Sequence, residues 1–270
     1  MKKYLFIWIF GLLACAGTTR SEEVVNEALD SVVVIPIQPV TSDSVLVIPA
    51  VDSSSVMNEA PIVSHIVDPA SGELFMAHKD SSGNPLRSLG KLKAHVEAEG
   101  KTLTFAMNGG MYMEDREPLG LYIEKGLLRR KMNWRKDAHG NFYMQPNGVF
   151  CLTSDGEARI MASQFFEFEG VYYATQSGPL LLIRGEINDL FNEGSTNLNI
   201  RNGVGILPDG KVIFAMSTEK INFYDFAAFF QEQGCQFALY LDGFVSRLYL
   251  PEKGHQDLQG NFGVMIGTAK

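Results

Sequence analysis

Between residue 102 and residue 270 the chain is cut into short apolar runs, and most cuts are polar and glycine-bearing. They fall at Asn108-Gly109-Gly110, Pro146-Asn147-Gly148, Thr175-Gln176-Ser177-Gly178-Pro179, Arg201-Asn202-Gly203, Ser217-Thr218-Glu219 and Asp242-Gly243. Apolar runs of strand length bounded by Gly, Pro and Asn read as strands. Asp155-Gly156 and Asp209-Gly210 each separate two such runs, which is the strong short-range hairpin signal. Further strands are expected at 62–68 and 73–78 around a turn at 68–72, and at 102–107, 141–145, 148–153, 174–178 leading into 179–183, 203–207, 211–216, 236–241 and 262–267.

Two stretches depart from the β rhythm. Ser88 suits an N-cap, Leu89, Leu92 and Val96 recur on one face, and Gly100 stops the helix. Asn222 can cap a second helix with Asp225 three residues on; Phe223, Phe226, Ala227 and Phe230 share its apolar face, and Gly234 ends it. The expected class is α/β (α+β): a mixed, mostly antiparallel β-sheet core with a few flanking helices. A C-terminal strand–helix–strand unit ends at residue 241 and leaves Asp242 at the carboxyl end of its strand, where α/β sheets gather ligands.

The expected domain plan has three parts. Residues 1–17 form an export signal, with Lys2 and Lys3 before an apolar stretch at 4–13 that is too short to span a bilayer comfortably. Leu12-Leu13-Ala14-Cys15 resembles a bacterial lipobox with Cys15 as the lipidated residue, while Ala14-Cys15-Ala16 also fits ordinary cleavage. Residues 18–60 read as a flexible tether, although 30–36 and 43–49 echo each other as two Val-rich units closed by proline. Residues 61–270 form the globular domain. The expected location is outside the cytoplasm, as a periplasmic or outer-membrane lipoprotein of a bacterium, with a lipid anchor as one partner. A net charge of −8 without a basic stripe argues against a nucleic-acid partner.

Cys151 and Cys235 can pair in an oxidising compartment or stay as buried thiols; spacing alone does not decide. None of the five histidines is spaced for a shared metal site and no paired-cysteine motif is present. An oxygen-ligated divalent cation stays open, so the cofactor is unassigned. No phosphate-binding glycine loop and no Gly-x-Ser-x-Gly elbow occurs.

The polar breaks, taken together, resemble the phosphodiester glycosidases. The resemblance covers roughly residues 102–270 and is carried by the Asn-Gly-Gly at 108–110, Ser177-Gly178-Pro179, Arg201 followed by Gly205, Thr218-Glu219, and Leu241-Asp242-Gly243 with Ser246. Family members carry a glycine-rich Asp-Gly-Gly-Gly-Ser at the last motif. Here Phe244 and Val245 stand in its middle, which marks a separate bacterial subgroup.

The resemblance implies hydrolysis of a glycosyl-1-phosphodiester to free sugar and phosphomonoester. Its catalytic set would be Asp242 as first carboxylate, Glu219 as second, and Arg201 gripping the phosphoryl group bidentately. Asn108, Gly109 and Gly110 would form an anion nest with their backbone N–H groups. Thr175, Ser177, Gly178, Asn202, Gly243, Ser246 and Arg247 would complete the substrate-binding surface. A sugar phosphate is then the expected small-molecule partner. Two other activities fit the same residues: a non-catalytic surface protein that binds glycans or envelope polymers, and a phosphodiesterase that breaks P–O.

Overall fold

A computed structural model describes residues 62–242 and 245–270. The expected signal segment with Cys15, the expected tether, Gly243 and Phe244 lie outside the described residues. In chain order the strands are β1 (Ile62–Val67), β2 (Leu74–Ala77), β3 (Leu103–Asn108), β4 (Tyr122–Glu124), β5 (Leu127–Arg130), β6 (Asn147–Thr153), β7 (Ala158–Ala162), β8 (Val171–Ile183), β9 (Glu186–Ile187), β10 (Asn202–Ile206), β11 (Val212–Ser217), β12 (Phe237–Asp242), β13 (Leu248–Leu250), β14 (His255–Gln256) and β15 (Met265–Ala269). The helices are α1 (Leu89–Ala98) and α2 (Phe223–Glu232).

Two antiparallel sheets result. The larger runs β1-β11-β10-β12-β8-β4-β5, with β6 and β9 also on β8 and β7 on β6; the smaller runs β14-β13-β3-β15-β2. Period-2 alternation assigns the faces. Val212, Phe214, Leu239 and Leu241 point between the sheets, where they meet Phe105, Met107 and Ile266 of the smaller sheet. Ile213, Ala215, Ala238 and Tyr240 point the other way, onto Phe223, Phe226, Ala227 and Phe230 of α2. Leu89, Leu92 and Val96 of α1 cover the far side of the smaller sheet beside Ala106, Tyr249 and Met265. The order is thus helix, sheet, sheet, helix, and each fully buried large apolar side chain contributes about 1.5–3 kcal/mol.

Both helices begin and end where expected. Ser88 Oγ accepts from the Lys91 N–H (3.2 Å) and Asn222 Oδ1 from the Asp225 N–H (2.8 Å). Gly100 and Gly234 follow the two helices with φ of 77° and 79°. The Asp209-Gly210 and Asp155-Gly156 turns close the β10–β11 and β6–β7 hairpins. Strands β11 and β12 both run antiparallel to β10, so the strand–helix–strand unit joins two parallel strands with β10 between them.

One local expectation needs correction and two gain detail. Strands β1 and β2 flank the turn as expected and do not pair with each other: β1 adds to β11 and β2 to β15, so the turn carries the chain from one sheet to the other. Residues 141–145 are not a strand. Asn141–Tyr143 forms a 3-10 turn, held where Asn147 Nδ2 donates to the Phe142 carbonyl (3.0 Å) while Phe142 is buried. The stretch 174–183 is part of one long strand, β8. Pro179 is tolerated there because it faces Asn147 at a register irregularity, where a missing N–H breaks no regular ladder.

Cys151 and Cys235 are buried free thiols, and burial pushes both up to about 11.

Candidate functional site

The ends of β3, β10 and β12 meet in a polar cluster that joins the two sheets. Asp242 closes β12 and Asn108 closes β3. Asn108 Nδ2 donates to Asp242 Oδ2 (3.1 Å), and Asn108 Oδ1 accepts from the Arg247 backbone N–H (2.9 Å). Asn202 opens β10 opposite Asp242. Its Nδ2 donates to the Asn108 carbonyl (2.8 Å), and its Oδ1 accepts from the Asp242 N–H (2.7 Å). Two asparagines suit this work because each amide offers a donor and an acceptor a fixed distance apart. Ser177 Oγ donates to the Leu241 carbonyl (2.6 Å) and Ser246 Oγ to the Asp242 carbonyl (3.1 Å), so both sides of Asp242 are tied down.

Exposure separates the roles. Asn108, Ser177, Arg201 and Asn202 are sealed at 0%, whereas Asp242 retains 8%. Asp242 is thus buried but is the least enclosed member of the frame. Tyr112 stands half-buried nearby; burial, then the Asp242 charge, raises its phenol.

Arg201 is placed differently from the expectation. Its Nε donates to the Ile221 carbonyl (2.8 Å) and one terminal nitrogen to the Asn197 carbonyl (2.7 Å), so the edge of the fork that grips phosphate best is already filled. The other terminal nitrogen donates to the Tyr240 hydroxyl (3.4 Å), and the guanidinium lies 3.6 Å over the Phe223 ring. No carboxylate among the described residues forms an ion pair with Arg201, and burial lowers its pKa. Arg201 and Asp242 act on the same phenol. Burial raises Tyr240 most; Arg201 opposes this and Asp242 adds to it, so the Tyr240 hydroxyl stays protonated and feels both charges.

The remaining expected residues divide. Gly109 is not part of an anion nest, because its N–H donates to the Val264 carbonyl (3.0 Å) within the smaller sheet. Gly110 is required by a close approach: with φ of 97°, a Cβ there would overlap Thr175 Oγ1. Gly178 likewise leaves room for Tyr240 and Met111. Glu219 is exposed between β11 and α2, with no hydrogen bond or ion pair to the cluster. Arg247 contributes its backbone, while its guanidinium turns outward to Asp257 (3.0 Å). Val245 packs on the α1 cluster beside Tyr112. Among the described residues no three His, Cys, Asp or Glu side chains converge as a metal site.

Sequence reasoning missed Tyr240 and Gln176. Tyr240 sits two residues before Asp242 on one strand, but a register irregularity lies between them, so simple alternation does not reveal their relation. Gln176, by contrast, is a buried structural hub: its Oε1 accepts from the Leu121 and Asn133 N–H groups (3.0 and 2.9 Å) and its Nε2 donates to the Asn133 carbonyl (2.9 Å).

Comparison with known proteins adds the family. Residues 101–262 match the phosphodiester glycosidase family. The chain is 34% identical over 190 residues to the uncharacterized protein YigE of Escherichia coli, covering 70% of this chain and 74% of that one. Among solved structures it is similar to the zebrafish N-acetylglucosamine-1-phosphodiester alpha-N-acetylglucosaminidase catalytic domain auto-inhibited by pro-peptide, at 18% identity and TM-score 0.47, covering 78% and 84% of the two chains. A hypothetical protein from Synechocystis matches at 14% identity and TM-score 0.47, covering 77% and 59%.

Proposed function

The chain belongs to the phosphodiester glycosidase family, and from that premise we propose that it hydrolyses a glycosyl-1-phosphodiester with Asp242 as the reacting carboxylate. The observation that carries this reading is the wiring of Asp242. Asn108 fixes its side chain, Asn202 fixes its backbone, and Asp242 alone among these partners keeps any exposure.

The chemistry is balanced by one water. The bond from the anomeric carbon to the phosphate oxygen breaks, water supplies hydroxyl to the sugar, and the phosphomonoester leaves with the electron pair. Such a leaving group is already stabilised, so a strong general acid is dispensable. The need is for negative charge beside an oxocarbenium-like centre, either as a stabiliser or as a base toward water. Asp242 supplies it. Arg201 acts through position and field: it holds the Tyr240 hydroxyl and places a buried positive charge, unpaired with any carboxylate of the described residues, behind a site that takes an anion. Glu219 is exposed and has no hydrogen bond or ion pair with the cluster among the described residues, so its proposed place is the rim.

The export signal at 1–17 and Cys15 further support a lipid-anchored protein acting on envelope sugar phosphates. The test is release of phosphomonoester from a panel of glycosyl-1-phosphodiesters, with the reaction also run in labelled water. Label in the sugar and loss of turnover in Asp242→Asn are expected. Label in the phosphate would show P–O cleavage, and full activity in Asp242→Asn would remove Asp242 from the mechanism.

A further inference from the structure

We propose that a groove on the open side of the sandwich, between β2 and the β4–β8 side of the larger sheet, is a second binding site that takes a neutral oligosaccharide. The groove encloses about 990 Å3, and none of Asn108, Arg201, Tyr240 or Asp242 lines it. That volume sits at the upper end of the roughly 300–1,000 Å3 typical of ligand pockets.

The floor contains an anomaly. Tyr122 is 0% exposed, lines the groove, and its hydroxyl has no hydrogen-bond partner of normal geometry among the described residues. A buried hydroxyl without a partner costs about 1–3 kcal/mol, so native folds rarely keep one without use. Glu124, two residues along the same strand, is its polar neighbour, in a weak side-chain interaction short of normal hydrogen-bond geometry, and burial raises the Glu124 carboxyl. Tyr122 and Glu124 together offer a donor and acceptors to a hydroxyl-bearing ligand. The Tyr172 ring, packed edge-on against Tyr173 (4.9 Å) and 41% exposed, adds an apolar face at the rim.

Charge decides the ligand class. Lys79 pairs with Glu117 (2.7 Å), Arg129 with Glu124 (3.9 Å), and His95 lies against Glu99 (3.5 Å). Asp80 is held by the Ser82 and Asn84 N–H groups (2.9 and 2.8 Å). Over the whole lining six carboxylates (Glu73, Asp80, Glu99, Glu117, Glu124 and Asp155) outnumber four cations (Lys79, Lys101, Lys125 and Arg129), so the groove disfavours an anion. A surface dense in hydrogen-bonding groups, with one aromatic face and a field that repels anions, suits an uncharged sugar chain.

Titration calorimetry of the full chain with cellotetraose and chitotetraose as neutral probes, and glucose 1-phosphate as an anionic one, tests the proposal. At least one tetrasaccharide should bind. Tyr122→Phe and Glu124→Gln should each weaken it about tenfold, while Asp242→Asn leaves it unchanged. Thermal melting of unliganded Tyr122→Phe should be unchanged or higher, since the variant removes only the unpartnered hydroxyl. The proposal is overturned if neither tetrasaccharide binds, if the anionic probe binds in preference, or if affinity is indifferent to both groove variants. Loss of tetrasaccharide binding in Asp242→Asn also overturns it, because the sugar would then belong to the other site. A lower melting temperature in Tyr122→Phe with unchanged affinity makes the hydroxyl structural and ends the case as well. Failure here leaves the glycosidase assay on Asp242 untouched.

Discussion

The Asp242 cluster and the Tyr122 groove handle buried polarity in opposite ways. In the cluster Asn108, Asn202, Ser177 and Arg201 are sealed and each is bonded, with contacts that span β3, β10, β12 and β8. On the floor of the groove a sealed hydroxyl has no hydrogen bond of normal geometry among the described residues, only the nearby Glu124 carboxyl. The first arrangement is pre-organised: sheet register fixes a carboxylate before any substrate arrives, and little reorganisation is left for the reaction. The second leaves a hydrogen bond to be completed by an occupant. Substitutions in the cluster should therefore strand groups that are now satisfied, whereas removal of the lone hydroxyl should strand nothing.

The largest expected effect is on activity. Asp242→Asn keeps shape and removes charge, and turnover should fall about 1,000-fold, or about 4 kcal/mol of transition-state stabilisation. Kinetics and melting measured on one preparation check it. A large drop in melting temperature with turnover retained would turn Asp242 into a strut and break the contrast.

Arg201→Leu should lose about 2–4 kcal/mol of stability, because the buried Tyr240 hydroxyl and the part-buried Ile221 and Asn197 carbonyls each lose a charged donor, and such a bond is worth about 1.5–3 kcal/mol where water does not replace it. Denaturant unfolding reads this directly. A loss below about 1 kcal/mol would mean water replaces the guanidinium, so that the cluster is less closed than it looks. Smaller again is the coupling between Asn108 and Asn202. A double-mutant cycle on the two alanine variants should show about 1–2 kcal/mol of interaction, the signature of one shared network. Additive losses would reduce the network to separate contacts.

What was legible in the sequence follows the same division. Strand ends that carry Asn108, Arg201, Asn202 and Asp242 stood out because polar residues interrupt apolar runs there, and both helices were framed by their caps and glycines. Pairing was less legible. Nothing local says that β1 and β2, one turn apart, belong to different sheets, since each depends on partners over a hundred residues away. The direction of the Arg201 fork was equally hidden, because the carbonyls that fill it come from loops at 197 and 221. Tyr240 was concealed as one more apolar strand residue. Tyr122 was invisible for the opposite reason: what distinguishes it is a contact it lacks.

The smallest expected effect tests the groove side through pH. His78 is buried edge-on to Tyr122 (6.1 Å), with its Nε2 against the Arg116 carbonyl (2.9 Å). Burial lowers its pKa from 6.5; Glu117 and Asp115 oppose the shift and Lys79 adds to it. The folded pKa therefore lies below the unfolded one. Between the two values the unfolded chain takes up a proton that the folded chain refuses, so stability falls as pH drops below about 6.5 and is fully present above it. His65, lowered chiefly by burial, contributes with the same sign. His78→Gln retains an amide that can donate to Arg116 and removes the titration, so urea midpoints measured at several pH values between 5 and 7.5 should fall less steeply than in the native protein. An unchanged slope would mean that His78 protonates freely in the folded state, and the enclosure that makes the Tyr122 hydroxyl unusual would then be open to water at its neighbour.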